Sequence, residues 1–210
     1  MLSYQAIEPH TLELLKRLFQ EPLFSGTRLV GGTALALQFG HRISVDLDFF
    51  GEIEHDTAII TDVVSGIGKT VVGRCTDRIK TLYLDHIKID YIDYSKYPWI
   101  DTPVIEDNIT LASPRDIAAM KINAIEGRGT RKDFVDMFYL LKHFSLSDIL
   151  SFYMAKYPEH SEYRALLSLT YFEDAETAPM PTMLTDTRWD EIKETICKEV
   201  EIYNKKRLNL

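Results

Sequence analysis

The sequence predicts an α+β protein in which an N-terminal mixed sheet flanked by helices is followed by a C-terminal helical bundle. Short β-rich segments follow one another closely up to about residue 110, with few helices between them. Beyond Ser113 the apolar residues recur at helical spacing instead. Because a chain of 210 residues can form one large domain or two small ones, we expect an α/β domain at 1–112 and a helical domain at 113–210.

The elements of the first domain follow from local patterns. A first helix has Pro9 near its start, and a short buried strand then ends at the glycine pair 31–32. Another short helix ends at Gly40. The remaining segments are a strand at SVDLDFF, a helix at HDTAIITDVVSGIG, and strands at KTVVGRC, IKTLYLD and HIKIDYIDY. The tight Asp85-His86 connection between the last two strands predicts a hairpin.

The second domain begins at a clear helix start. Ser113 is suited to the N-cap, Pro114 to the first helical position, and Asp116 to the third position of a capping-box-like start. Helices are expected at about 114–126, 131–143, 147–157, 160–170 and 187–206. The segment ETAPMPTMLTDT, which contains two prolines, is expected to be a loop.

Composition and charge exclude some classes of protein. A formal net charge of −8 argues against broad, sequence-independent nucleic-acid binding, although residues 128–132 and 205–207 include local basic clusters. No apolar run is long enough for a transmembrane helix, and the N-terminus does not have the pattern of a signal peptide. Two cysteines far apart in sequence, Cys75 and Cys197, fit free thiols in a reducing cytoplasm. We therefore expect a cytoplasmic protein with no membrane partner.

Asp46 and Asp48 are the first candidate site residues. Alternate residues of a strand point to one face, so the two carboxylates are expected to converge at a spacing that suits a shared metal. Their apolar neighbours predict a largely buried strand, where two acids need a cation or hydrogen-bond donors. Mg²⁺, or Mn²⁺, is the expected ion. The alternative is an exposed strand end whose acids face water.

The segment Gly31-Gly32-Thr33 strengthens the metal hypothesis. A strand–glycine–helix junction lets backbone amides approach a phosphate at the positive end of the helix. Thr33 is expected either to cap that helix or to donate to a phosphate oxygen. An ordinary tight turn is the alternative, and a carboxylate pair on the very next strand makes it less favoured.

Asp90 is the candidate third carboxylate, as a metal ligand or as the group that deprotonates an acceptor hydroxyl. Asp93 is the competing choice. The remaining alternative is that Asp90 is an ordinary strand residue whose side chain faces solvent.

Lys121 falls within the apolar stripe of its helix, so it either extends past the edge of the core or reaches a triphosphate. Asp133 and Asp136 lie at the start of the next helix, where acids commonly interact with the helix dipole.

Two segments together resemble a known family. GGTALALQFGHRISVDLDFF resembles the signature of the AbiEii/AbiGii toxins, a branch of the DNA-polymerase-β-like nucleotidyltransferase superfamily, and SPRDIAAMKINAIEGRGTRKDFVDMFYLL is similar to their second conserved region. The resemblance covers about residues 25–142. It implies a nucleotidyltransferase-type mixed sheet, with the helical domain completing the active-site cleft. It also implies Mg²⁺ and a nucleoside triphosphate as co-substrate.

The resemblance assigns roles to further residues. It places Lys121 and Asp133 in the catalytic site, and Arg42 and Ser44 lie in its branch-specific part, near the nucleotide. The family does not uniformly keep a third carboxylate, so Asp90 depends on the strand pattern. Some relatives are toxins that modify RNA, tRNA included, so the expected acceptor is RNA or protein. Any antitoxin is expected to be a separate protein.

The predicted activity is transfer of a nucleoside monophosphate to a hydroxyl acceptor. Gly31, Gly32 and Thr33 would hold the phosphates, and Lys121 and Arg42 would neutralise developing charge. Phosphohydrolases with a nucleophilic aspartate also use Asp-x-Asp, but they usually have Thr or Val where this chain has Phe50. Metal-dependent glycosyltransferases do not have the Gly-Gly-Thr at this distance. The remaining alternative is a catalytically degenerate nucleotidyltransferase fold that acts as a nucleotide-binding or protein-interaction module.

Overall fold

The computed structural model describes residues 1–53 and 55–207. The chain divides into two compact units, one of residues 1–98 and 102–112, the other of residues 99–101 and 113–210. In the described part of the chain, no helix is both long and apolar enough to cross a membrane.

The first unit begins with alternating helices and strands and ends with a run of strands. Two 3₁₀ turns, Tyr4–Ala6 and Pro22–Phe24, flank the first helix. The helices are α1 (Pro9–Gln20), α2 (Gly31–Phe39) and α3 (Thr57–Ser65). The strands are β1 (Arg28–Leu29), β2 (Leu47–Gly51), β3 (Thr70–Cys75), β4 (Ile79–Leu84), β5 (Ile87–Asp93), β6 (Val104–Glu106) and β7 (Ile109–Leu111).

These strands form one mixed sheet. Among the described residues its order is β3-β4-β5-β2-β1-β7-β6. Strand β2 runs parallel to β5 and antiparallel to β1, and β1 runs parallel to β7. The predicted α+β class with a mixed sheet is therefore confirmed. The consequence for the site is that β2 and β5, far apart in sequence, are hydrogen-bonded neighbours.

The hairpin between β4 and β5 turns at the predicted residues. Asp85 and His86 both have positive φ, 48° and 73°, as a two-residue hairpin turn of primed type requires. A second hairpin, between β6 and β7, turns at Asp107 and Asn108 with φ of 52° and 62°. The sequence analysis assigned no strands there, because three-residue strands show too little alternation to be recognised.

Strand β2 separates the core from an open face. Leu47 and Phe49 are fully buried, whereas Asp48 and Phe50 are half-buried. The ring of Phe49 contacts that of Phe24 edge to face, with 4.7 Å between the ring centroids. The predicted strand SVDLDFF is shorter in the structure, because β2 begins only at Leu47 and Asp46 precedes it. Its predicted burial is also wrong at the start, since Val45 is 48% exposed.

The second unit is helical over the part of the chain that the structure describes. Its helices are α4 (Pro114–Gly127), α5 (Arg131–Leu141), α6 (Leu146–Lys156), α7 (Glu162–Leu169), α8 (Glu173–Glu176) and α9 (Trp189–Arg207). Five agree with the predicted helices, and the short α8 was not predicted. Ser113 caps α4 as expected, its hydroxyl accepting from the Asp116 amide at 3.1 Å.

Asp116 has a larger role than the predicted capping position. Its carboxylate is fully buried and accepts from the Lys156 ammonium at 2.6 Å and from the Ile100 and Asp101 amides at 2.9 and 3.2 Å. The Lys156 ammonium also lies 4.7 Å from the centre of the Trp99 ring. These contacts explain why residues 99–101 belong to the second unit although the chain enters the helices only at residue 113.

Candidate active site

The glycine turn after β1 lies directly against the carboxylate of Asp48. Gly31 has φ of +67°, and a Cβ placed on it would lie 2.6 Å from Asp48 Oδ2. The Val30 amide, next to it, donates to the Asp48 carbonyl at 2.8 Å. Any larger residue would be strained by its backbone angle and would also displace the carboxylate. Glycine at position 31 is therefore required by both the turn and the acid.

Thr33 connects the start of α2 to the segment that carries the acids. Its side chain is buried, and its hydroxyl lies 2.9 Å from the Ser44 hydroxyl and within hydrogen-bonding distance of the Asp46 carbonyl. The expectation that Thr33 caps the helix is wrong, because Val30 occupies the N-cap and no side chain caps α2. The hydroxyl instead holds residues 44–46 against the helix, and its contact with a phosphate stays a prediction.

The strand register brings Asp48 and Asp90 together. Asp48 in β2 pairs with Asp90 in β5 across parallel strands, so both side chains lie on the open face of the sheet. Asp46 lies two residues before Asp48, immediately before β2. Two of the predicted acids are therefore paired across neighbouring strands, and the third immediately precedes one of these strands.

Asp93, the competing third carboxylate, lies elsewhere. It ends β5, three residues beyond Asp90, and therefore points to the opposite face. Its carboxylate accepts from the Ser95 amide at 3.0 Å and from Arg78 Nε at 3.1 Å. The hydrogen bonds from Ser95, helped by Arg78, hold the pKa of Asp93 below its usual value. Of the two candidates, only Asp90 pairs with Asp48.

Asp90 is held by donors of its own sheet. The Thr81 hydroxyl donates to Oδ1 at 2.6 Å, and the Lys88 ammonium donates to Oδ2 at 2.5 Å. Burial lowers the pKa of Lys88, but the hydrogen bond to Asp90 and the charges of Asp90, Asp48 and Asp46 outweigh it and leave the pKa raised. All three carboxylates therefore act on one ammonium group.

Lys88 was not among the site residues predicted from the sequence. The one pattern that could have indicated it is its position two residues before Asp90, which puts both side chains on one face of β5. Lysines are common on exposed strand faces, so that signal is weak until the register with β2 is known.

The donor set suits a divalent ion held by a carboxylate pair. Mg²⁺ is commonly bound by one or two carboxylates together with substrate phosphates. Asp46 and Asp48, beside the glycine turn, can provide those carboxylates. Within residues 1–53 and 55–207, no group of three or more His, Cys, Asp or Glu side chains is arranged to hold a metal. Asp90 as a metal ligand therefore stays a prediction.

Arg42 and Ser44 are both buried. Arg42 is 3% exposed and donates from one guanidinium nitrogen to the Ile43 carbonyl at 3.1 Å. The Ser44 amide donates to the Ala6 carbonyl at 2.9 Å. These contacts fix the segment before the acids, and contact of either residue with a nucleotide stays a prediction.

Lys121 and Asp133 form part of a buried charged cluster in the second unit. The Lys121 ammonium lies 3.0 Å from Asp133 Oδ1 and 2.5 Å from Asp136 Oδ2, and all three side chains are at most 4% exposed. Asp133 also accepts from Arg128 and from the Thr130 hydroxyl, the latter at 2.6 Å. The simple expectation that both acids serve the helix dipole is thus incomplete, because each is paired with Lys121.

Electrostatics keep Asp133 ionised. Burial by itself would raise the pKa of this carboxyl, but the charges of Lys121 and Arg128, with hydrogen bonds from Thr130 and Arg128, hold the pKa well below its usual value. The catalytic roles that the resemblance implies for Lys121 and Asp133 stay predictions.

Comparison with known proteins identifies a family. The family model described as "Nucleotidyl transferase AbiEii toxin, Type IV TA system" matches residues 13–201. An uncharacterized protein of Aquifex aeolicus is 30% identical over 197 residues, which cover 91% of this chain and 94% of that protein.

Solved structures show the same fold. The crystal structure of JHP933 from Helicobacter pylori aligns with a TM-score of 0.56 at 17% identity, covering 95% of this chain and 94% of that one. A candidate nucleotidyltransferase from H. pylori aligns with a TM-score of 0.59 at 20% identity, covering 98% of this chain and 97% of that one. At these identities the likeness is one of fold, and it confirms the predicted nucleotidyltransferase-type architecture.

Proposed function

The chain belongs to the AbiEii family of nucleotidyltransferase toxins, and on that basis we propose that it transfers a nucleoside monophosphate from a nucleoside triphosphate to a hydroxyl acceptor in a reaction that depends on Mg²⁺ or Mn²⁺. The site of transfer is the open face of the sheet beside the glycine turn. The family supports the coarse activity, and the metal, the acceptor and the toxin role belong to the proposal.

One observation carries the location of the site. Gly31 approaches Asp48 so closely that a Cβ would lie 2.6 Å from the carboxylate. A backbone turn that is suited to phosphate thus adjoins an acid that is suited to a metal ion. Neither feature alone is specific. Because Gly31 lies against Asp48, the turn that is suited to the triphosphate and the acid that is suited to the metal form one site.

The proposed step is an in-line displacement at the α-phosphorus. The oxygen of the acceptor hydroxyl forms a bond to that phosphorus, the bond from phosphorus to the bridging oxygen breaks, and pyrophosphate leaves with the electron pair. The proton of the hydroxyl passes to Asp90, which lies beside Asp48 in the sheet. Asp46 and Asp48 are the residues that would hold a divalent ion, which supplies charge stabilisation at the phosphoryl oxygens.

The backbone of Gly31 and Gly32 would hold the β- and γ-phosphates at the start of α2. The N-terminal end of a helix carries partial positive charge, which favours anions. Lys121 and Arg42 are proposed to neutralise developing charge, and Ser44 and Thr33 to order the segment that carries the acids. Asp133 would position Lys121, to which it is hydrogen-bonded.

We further propose that the acceptor is RNA, such as tRNA, or a protein, and that the enzyme acts in the cytoplasm. As family membership suggests a toxin–antitoxin pair, an antitoxin is proposed as a separate partner. The domains of the enzyme are proposed to be the mixed-sheet unit and the helical unit, with residues 99–101 in the helical one.

The experiment is incubation of the full chain with each labelled nucleoside triphosphate, Mg²⁺, and total RNA or protein as acceptor. We expect label in one acceptor fraction, and we expect Asp48→Asn to reduce incorporation by at least about a hundredfold because it removes a ligand to the ion. Asp62→Asn, an exposed acid of α3, is the matched control and should leave incorporation unchanged.

Calorimetric titration with each nucleotide separates the alternatives. Metal-dependent binding without incorporation would favour a nucleotide-binding module. Incorporation by Asp48→Asn at the level of the native protein would refute the proposed site.

A further inference from the structure

Both oxygens of the Asp90 carboxylate are occupied by donors of the chain itself. Thr81 is the cross-strand partner of Asp90 in β4, and its hydroxyl donates at 2.6 Å. Lys88 lies two residues earlier on the same strand face, and its ammonium donates at 2.5 Å. Because regular strands carry all three residues, their arrangement is set by the register of the sheet rather than by a loop.

The ammonium of Lys88 adjoins a carboxylate oxygen of Asp90 that a divalent ion could coordinate. The side chain of Asp90 is 14% exposed and that of Lys88 is 38% exposed, so Lys88 is the more accessible partner. A divalent ion coordinated by Oδ2 would sit at about 2.1 Å from it, close to an ammonium that is hydrogen-bonded to the same oxygen. The two positive charges repel each other, so each weakens the binding of the other.

The other two carboxylates contribute to this competition. The charges of Asp48 and Asp46 act on Lys88 together with that of Asp90. The ammonium thus compensates part of the repulsion among these three acids. It can do so without any bound ion.

We propose that Lys88 is a positioning residue that competes with the divalent cation for the carboxylate of Asp90. In the absence of substrate, Lys88 keeps that carboxylate in place and lowers its affinity for the cation. A cation on Asp90 is repelled by the ammonium, and it binds more tightly once the ammonium moves away. The inference depends on the proposed function, in which Asp46 and Asp48 bind the metal, and it adds Asp90 as a further carboxylate that the cation can reach.

The test measures metal binding by the full chain without turnover. Mn²⁺ is titrated into each protein, and the free ion is followed by electron paramagnetic resonance. Lys88→Met should bind Mn²⁺ about tenfold more tightly than the native protein, the order expected for loss of a charged hydrogen bond that competes for the same oxygen. Lys88→Arg keeps a cation there and should bind like the native protein.

Lys69→Met is the matched control, because it removes an equal charge from an exposed position just before β3. Its effect measures the long-range consequence of net charge alone. A double-mutant cycle then isolates the local pair, since Lys88→Met should change Mn²⁺ affinity much less in an Asp90→Asn background than in the native one.

The outcomes distinguish this inference from the proposed function. Equal affinities for Lys88→Met and Lys69→Met overturn the competition, as does an effect of Lys88→Met that is undiminished in the Asp90→Asn background. If Asp48→Asn abolishes Mn²⁺ binding while Lys88→Met has no effect, only the role of Lys88 is refuted. If neither the native protein nor Lys88→Met binds Mn²⁺, both proposals are overturned.

Discussion

Replacing Gly31 with alanine tests the contact between the glycine turn and Asp48. The new Cβ would lie 2.6 Å from Asp48 Oδ2, so the carboxylate must move by about 1 Å to restore ordinary contact. A displacement of that size at a reacting centre costs about a hundredfold in rate. The positive φ of +67° adds about 1–2 kcal/mol of backbone strain. For a chain of this length the strain corresponds to a fall of about 2–8 °C in Tm.

Gly40 provides a matched control for that substitution. Its φ of +66° is nearly the same, but its Cβ would meet the hydroxyl of Ser3 at 2.7 Å rather than an acid of the site. Gly40→Ala should therefore lower Tm by a similar amount in differential scanning calorimetry and leave nucleotide incorporation within about twofold of the native value. The reasoning is refuted if both variants lose activity equally, or if Gly31→Ala retains native activity with a lowered Tm.

Two further predictions concern the second unit. Lys156→Met should lower the free energy of unfolding by about 3 kcal/mol, because Asp116 would stay fully buried without its ammonium partner. Urea denaturation measures this free energy, and a loss below about 1 kcal/mol would contradict the role of the pair. Asp133→Asn should lose on the order of 3 kcal/mol near neutral pH, since the carboxylate is paired with Lys121 and Arg128. As its folded pKa is lowered, this contribution is complete above the unfolded value near 4 and declines as the pH falls towards the folded pKa. Urea denaturation from pH 7 to pH 2.5 should show the two proteins converging in acid, and a pH-independent difference would refute the assignment.

Much of the fold could be predicted because its signals are local. The start of α4 follows from Ser113 and Pro114, and the β4–β5 turn follows from the two residues between alternating strands. The strands β6 and β7, at three residues each, were missed because so short a segment has no measurable periodicity. Local patterns were also insufficient for residues 99–101, whose place in the second unit depends on hydrogen bonds to Asp116, more than a dozen positions away.

The candidate site was predictable only in part. Glycines before a helix and acids on a strand each indicate a chemistry, so Gly31, Asp46 and Asp48 could be selected from their order and spacing. The roles of Thr33 and Lys88 could not, because a buried threonine in a helix and a lysine on a strand face are common and have many uses. Their partners, the Asp46 carbonyl and the Asp90 carboxylate, identify them.

The sequence by itself determined most of the segments that become strands and helices, with β6, β7 and α8 as exceptions, and it determined which residues of each predicted strand share a face. The reason is that alternation and capping depend on neighbours along the chain. Only the tertiary structure decided that β5 lies parallel to β2 with Asp90 beside Asp48. That register comes from pairing between segments some forty residues apart, and no local preference specifies it. It is the same pairing that places the Lys88 ammonium among three carboxylates.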